Sequence, residues 1–406
     1  MAKGKLRFNV PMPKALFLVT FLLVNSLTWL FIERRNLSII LDKIGVLPQQ
    51  KLIIWGTWDL AIILSSIIGA IFSTKIKKFT FLCLWIILGI IASLLVYFLQ
   101  YLHQSYILPI SFLWGLSFGV GMPSCLAYFA RQTTFENRGS LSGLIFFATS
   151  GITPLILMSG TSFALSLISL TWRIIGVIML VLLMPKENLS GTNGAVASFG
   201  SILKDRHTML YLIPWFMFSF IYGFQKVTIE QSLLVEFYDF LKVIQAVSAM
   251  ISSILSGIIC DRAGRKRMII YGFISLGIAY AVVSIAQTDP TSLYFYSLID
   301  GVSWGIFITL FVLTLWGDLS FINTKNAEKY YAVGSIPFFF ADFTGFLFAA
   351  YVRAPIGTAF SIASFFLFLA VVPLMYAPET LPEKKLRERE LRSYIEKAKK
   401  VKEKFT

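Results

Sequence analysis

Apolar stretches long enough to cross a bilayer fill most of this chain. A membrane-spanning helix needs about 20 predominantly apolar residues. Twelve stretches qualify, at roughly 14–33, 51–72, 79–100, 105–130, 139–160, 162–184, 207–230, 239–260, 268–287, 292–316, 331–352 and 357–376. Hydrocarbon offers backbone groups no partners, so each stretch must satisfy its own hydrogen bonds as a helix. The runs are far longer than a barrel strand of about 10 residues. The expected class is an all-α integral membrane protein with twelve transmembrane helices. Of its 406 residues 57% are hydrophobic and 14% charged, too few charges to coat a soluble fold of this size.

The formal net charge of +15 would suit nucleic acid if the basic residues formed one surface. They lie instead in short clusters between spans. With the N-terminus inside, the inner segments hold 28 of the 36 Lys and Arg, the outer loops hold seven, and Arg173 falls within a span. Such a bias marks the cytoplasmic side. The expected location is therefore the cell membrane, multi-pass, with both termini cytoplasmic, the lipid bilayer as partner and no nucleic acid. The polar segments divide the chain into an N-terminal six-helix bundle (1–184), a cytoplasmic linker (185–206), a C-terminal six-helix bundle (207–378) and a basic cytoplasmic tail (379–406). Cys83, Cys125 and Cys260 stand alone in apolar runs and only two His are present, so neither a disulfide framework nor a metal site is expected. No phosphate-cradling G-x-x-x-x-G-K occurs, which tells against an ATP-driven pump. No Ser/His/Asp set is spaced for nucleophilic chemistry, so neither an enzyme nor a cofactor is expected.

One loop carries more than topology. It reads Gly257-Ile-Ile-Cys-Asp261-Arg262-Ala-Gly264-Arg265-Lys266-Arg267, a helix end, a glycine turn and a cationic step. This resembles the signature loop of the major facilitator superfamily, G-x-x-x-D-R-x-G-R-K. A second copy stands at Gly69–Lys78, with Ser73 in place of the Asp and Ile76 in place of the glycine. Asn137-Arg138-Gly139, Gly143, Gly151 and Pro154 are similar to the family's fifth-helix pattern, and Ala377-Pro-Glu-Thr-Leu-Pro382 to its exit from the last helix. Gly115 and Gly119 in the fourth span match Gly301 and Gly305 in the tenth. The resemblance implies two pseudo-symmetric six-helix bundles around a central cavity lined by spans 1, 4, 7 and 10. The two bundles would rock between inward-open and outward-open states.

A charge inside hydrocarbon costs about 2.5–3.5 kcal/mol even on a mild scale, so it is kept for a purpose. Asp59, Arg173, Asp300 and Asp342 are such charges. Asp300 shares a helix face with Tyr296 and Trp304, at i−4 and i+4. Trp215, Tyr222, Gln225 and Lys226 on the seventh span, Asn25 on the first and Gln245 on the eighth complete the substrate and coupling candidates. Trp29 and Trp55 read as interfacial belt residues, and Glu33 and Lys226 as groups that snorkel outward. Arg173 reads equally as a structural or a functional charge.

The expected function is secondary transport of a small organic solute by alternating access. Proton coupling, as in a symporter, is the leading reading and a uniporter is nearly as compatible. The alternative is a non-transporting sensor or scaffold on the same fold, motivated by the degenerate first loop. The gating candidates are Gly257, Asp261, Arg262, Gly264, Arg265, Lys266 and Asp318. Asp261 is expected to cap the eleventh helix and Arg265 to reach Asp318. In the first half Ser73 replaces the loop acid and Gln132 stands where pseudo-repeat logic puts the other. Lys77 is thus left with no acid to pair with, and the gate is expected to be asymmetric, held by its second half.

Overall fold

A computed structural model of the chain describes residues 13–183, 198–230, 235–287, 289–323, 326–351 and 355–382. The described residues are helical throughout apart from short connections, and no strand occurs among them. The first half runs α1 (Lys14–Ile44), α2 (Pro48–Phe72), α3 (Lys78–Phe98), α4 (Ile107–Gly119), α5 (Met122–Gln132), α6 (Arg138–Leu157) and α7 (Ser162–Leu183). The fourth expected span is divided between α4 and α5, with Pro123 in the first turn of α5, where its missing N–H costs least. A short α8 (Phe199–Lys204) precedes α9 (Arg206–Glu230), α10 (Val235–Ala263) and α11 (Arg265–Ile285). The tenth crossing is α12 (Pro290–Phe307), a π-helical stretch Ile308–Thr314 and α13 (Leu315–Asn323), followed by α14 (Ala327–Tyr351) and α15 (Ile356–Tyr376).

Ten crossings are long and apolar enough to span a membrane among the described residues. The 25-residue helices α9 and α14 stand at the expected seventh and eleventh positions. The end of the expected linker is the helix α8, whose Ile202 is buried. Residues 184–197 of the linker region and 383–406 of the tail lie outside the described residues.

Glycine decides how closely the helices approach, and it does so in the same register in both halves. A Cβ on Gly115 of α4 would lie 2.4 Å from the Trp58 carbonyl oxygen of α2. A Cβ on Gly301 of α12 would lie 2.3 Å from the Gln245 carbonyl oxygen of α10. One helical turn on, Gly119 meets Ile62 and Gly305 meets Ala249, each at 2.5 Å from the carbonyl oxygen. The two bundles thus repeat one contact, as the matched glycines imply. They join along two seams, α2 with α14 and α6 with α10.

Trp29, Glu33 and Asn25 of the first bundle sit differently from their expected places, and Arg173 explains the first of these. The Arg173 guanidinium is fully buried over the indole rings of Trp29, at 4.1 Å, and Trp85, at 5.1 Å. Its Nη1 donates to Ser26 Oγ at 2.9 Å. Gly89 of α3 leaves the room, since a Cβ there would meet Arg173 Nε at 2.7 Å. Trp29 is therefore core, not interfacial belt. Glu33 does not snorkel: it is fully buried and accepts from Ser169 Oγ at 2.5 Å. Asn25 points away from the cavity, donating to the Trp172 carbonyl of α7 at 2.6 Å. Buried polar groups are costly without partners, and Glu33 and Asn25 find theirs inside one bundle, whereas Arg173 relies on Nη1 and the two indole faces.

The glycine contacts predict a sharp contrast. Gly301→Ala is expected to cost about 1–3 kcal/mol by overpacking α12 against α10. Gly151→Ala, whose Cβ would meet nothing nearer than the Met250 sulfur at 3.6 Å, is expected to leave the thermal midpoint unchanged. Thermal unfolding of the two purified variants followed by size-exclusion fluorescence checks this.

Candidate functional site

A cavity of about 430 Å³ lies between the two bundles. Phe31 and Arg34 of α1, Phe146 and Thr153 of α6, Ser219 and Tyr222 of α9, Lys242 and Gln245 of α10, and Trp304 of α12 line it, with Ile308 and Phe338. Helix direction places Arg34, Thr153, Tyr222 and Lys242 towards the face that the basic-residue bias makes the outer one. The π-helical stretch begins at Ile308, so the helix irregularity falls at the cavity floor. Beneath that floor a smaller cavity is lined by Leu27, Phe118, Met122, Phe311, Trp316 and Phe339, among other apolar residues.

Of the sequence candidates, Tyr222, Gln245 and Trp304 line the cavity. The Tyr222 and Trp304 rings meet edge to face at 4.5 Å. Asp300 is fully buried one side chain behind the wall, where Gln245 Nε2 donates to its carboxylate. Its expected companions diverge. Trp304 faces the cavity, whereas Tyr296 packs on Tyr280 and Phe360, with centroids at 5.5 and 5.4 Å. Trp215 is core: its indole donates to the Gly334 carbonyl at 3.0 Å and stacks on Phe311 at 4.7 Å. Gln225 donates to the Ala359 carbonyl at 3.2 Å. Both tie α9 to its neighbours, because a helix hydrophobic on every side buries its polar groups in helix contacts as readily as in a cavity. Asp59 is fully buried on α2 and does not line the cavity. The side chains of Lys226 and Asp342 lie outside the described residues.

At the end opposite the cavity mouth two clusters join the bundles, each centred on a carboxylate. Asp318 of α13 is fully buried between Arg265 Nε, at 3.0 Å, and Arg138 Nη1 of the first half. Arg265 reaches the first half as well, donating from Nη2 to the Phe135 carbonyl at 2.6 Å. Asp261 caps α6 rather than the eleventh helix, accepting from Gly139 N at 2.9 Å and from Ser140 N at 2.7 Å and Oγ at 2.6 Å. The reason is the seam: a Cβ on Gly257 would lie 2.4 Å from the Gly139 carbonyl oxygen, so α10 delivers its loop to the start of α6. A carboxylate there also favours the helix dipole. Gly264 turns the chain at φ 106°, a region open to glycine, and Glu379 fills the space a Cβ would need. Glu379 accepts from Arg265 N at 2.8 Å and Lys266 N at 3.1 Å and so caps α11. Arg262 is exposed.

The second cluster corrects the expectation of an asymmetric gate. Glu328, in the first turn of α14, accepts from Arg131 Nη2 at 2.7 Å and from Lys78 Nζ at 3.2 Å. Glu328 and Lys78 are both buried. The acid missing at Ser73 is thus replaced by one on the helix that such an acid would cap. Lys77, the expected orphan, is exposed, and its neighbour Lys78 takes the contact.

Comparison with known proteins agrees with this geometry. The Major Facilitator Superfamily profile matches residues 57–320. The chain belongs to this superfamily. The comparison with curated proteins gives no match. Among solved structures the superfamily member is similar to a bacterial homologue of the iron transporter ferroportin in an outward-facing state, at 13% identity over 89% of this chain and 98% of that one, TM-score 0.70. It is similar to the proton:xylose symporter XylE bound to 6-bromo-6-deoxy-D-glucose, at 15% identity over 90% and 96%, TM-score 0.64. It is also similar to the human organic anion transporter MFSD10, at 12% identity over 90% and 100%, TM-score 0.62. At these identities the likeness is one of fold.

Sequence reasoning missed Arg34 and Lys242 as cavity residues, having placed both in outer loops. It missed Glu328 altogether, and it placed Glu379 in the exit motif after the last helix without giving it a partner. The signal for Glu328 was an acid in the first turn of a helix, ordinarily read as a dipole effect alone.

Removing one side of a buried ion pair costs about 3–5 kcal/mol, because the other charge is left unpaired. Glu328→Gln and Asp318→Asn are therefore each expected to open the inner face. Lys77→Ala is expected to leave it shut. Labelling of Ser335→Cys, on the lower cavity, reports the opening once Cys83, Cys125 and Cys260 are replaced. Equal labelling of Lys77→Ala and Glu328→Gln contradicts the assignment.

Proposed function

We propose that this chain is a secondary transporter that moves a small organic solute across the cell membrane by alternating access, with both termini cytoplasmic. The observation that carries the reading is a solute-sized cavity between two bundles that buried ion pairs latch together at one end. A cavity of this volume suits a small organic molecule. Latches made of a few pairs can be exchanged for others as the bundles rock. The proposed conformation is outward-open with the inner side closed. The sensor alternative drew its support from the degenerate first loop, and Glu328 with Lys78 and Arg131 removes that motive.

Proton coupling is assigned to Asp300. Gln245 belongs both to the cavity wall and to the Asp300 carboxylate. A solute that draws the Gln245 amide towards itself withdraws a hydrogen bond from Asp300 and raises its affinity for a proton. Proton and solute then load together, as a symporter requires.

Asp300→Asn keeps the shape and the bond from Gln245 but cannot carry a proton. Liposomes bearing the variant are expected to lose uptake driven by an imposed pH gradient while still equilibrating a solute identified by thermal shift. Uphill uptake equal to the unmodified protein, with the same pH dependence, removes Asp300 from the coupling.

A further inference from the structure

We propose that the solute is a neutral amide-like molecule, with its amide group bonded by Thr153, Ser219 and Trp304 and its apolar body on the aromatic floor. This rests on the transporter reading and adds the class of cargo.

The donors come first. Thr153 Oγ1 of α6, Ser219 Oγ of α9 and Trp304 Nε1 of α12 are buried, and none has a hydrogen-bond partner among the described residues. All three residues line the cavity. Thr153 is 8% and Ser219 3% exposed, so bulk solvent does not serve them. A buried polar group left unbonded is costly, and three around one cavity mark where a ligand supplies the partner. An indole N–H only donates, so the ligand must carry an acceptor. A hydroxyl gives or takes, so the same ligand has a place for a donor of its own.

The backbone adds an acceptor. Pro154 of α6 has no N–H for the Ser150 carbonyl four residues before it, and both residues line the cavity. That carbonyl thus lacks its helical donor on the cavity side of the helix. An amide presents the matching pair, a carbonyl that accepts and an N–H that donates.

Charge and floor narrow the class. Arg34 and Lys242 also line the cavity, but each already has an interaction partner, so neither waits for a counter-ion. An ionised solute would give up its water for neutral groups and gain no opposite charge. Phe31, Phe146, Ile308 and Phe338 belong both to the cavity and to the apolar space beneath it. A solute polar all round, such as a free sugar, would leave its inner hydroxyls against these rings. A neutral amide with an aromatic or aliphatic body meets both the donors and the floor. Thr153 belongs to the first half, and Ser219 and Trp304 to the second. One bound amide therefore bonds the bundles to each other and favours their closing on it.

The test uses the intact purified protein and calorimetric titration with benzamide, 2-naphthamide and indole-3-acetamide, each beside its carboxylate and its N,N-dimethyl amide. At least one amide is expected to bind about tenfold or more tightly than its carboxylate, and about threefold or more tightly than the dimethyl form that has lost its N–H. Thr153→Val, Ser219→Ala and Trp304→Phe each remove one donor and are each expected to weaken that amide by about three- to tenfold. Without ligand, Thr153→Val and Ser219→Ala are expected to melt no lower than the unmodified protein, since each deletes a hydroxyl that bonds to nothing. That readout separates a ligand role from a structural one. Carboxylates bound as tightly as their amides overturn the proposal, as does the failure of all three amides to bind or an affinity that all three variants leave unchanged. Latch labelling that still shifts in Glu328→Gln confines such a failure to the cargo. Labelling that does not shift takes the transporter reading with it.

Discussion

A carboxylate at the inner seam of this protein has no water to turn to, so cations must come to it from both sides. Asp318 draws Arg265 from its own half and Arg138 from the other. Glu328 draws Lys78 and Arg131, both from the half it does not belong to. Unpaired, any of these charges would be expensive in so dry a place. The cheapest arrangement of the chain is therefore the one that brings the bundles together here. The glycine contacts of α6 with α10 let the backbones come close enough for it.

The same constraint explains which features could be read from the residues. Spans, their order and the matched glycines follow from local pattern, because hydropathy and small-residue spacing act within one helix. The loop at 257–267 was legible as a motif, and Arg265 meets Asp318 as its position implies. The target of Asp261 was not legible, because it depends on which helix of the other half lies nearest. Glu328 was invisible for the same reason: its partners are 197 and 250 residues away in sequence. Of the cavity candidates, Tyr222, Gln245 and Trp304 were found, whereas Trp215 and Gln225 were drawn into helix packing. An all-apolar helix shows no preferred face, so its pattern could not separate cavity from core.

Arg173 shows the other use of buried charge. It is held within one bundle by two indoles and a serine. Charges within a bundle thus join its own helices, whereas those of the Asp318 and Glu328 clusters join one bundle to the other. The cavity lies between the bundles, where Thr153, Ser219 and Trp304 have no hydrogen-bond partner among the described residues.

On the proposed reading the two carboxylate clusters together keep the inner face shut. Pulsed electron resonance between spin labels at Thr74 and Arg267, one on each half, measures this directly in the lipid-reconstituted protein. A single short distance is predicted for the intact latch, a minor longer population when either Asp318 or Glu328 is made neutral, and a dominant longer one when both are. A distance distribution that stays short with both acids replaced by amides would show that the clusters do not hold the face shut.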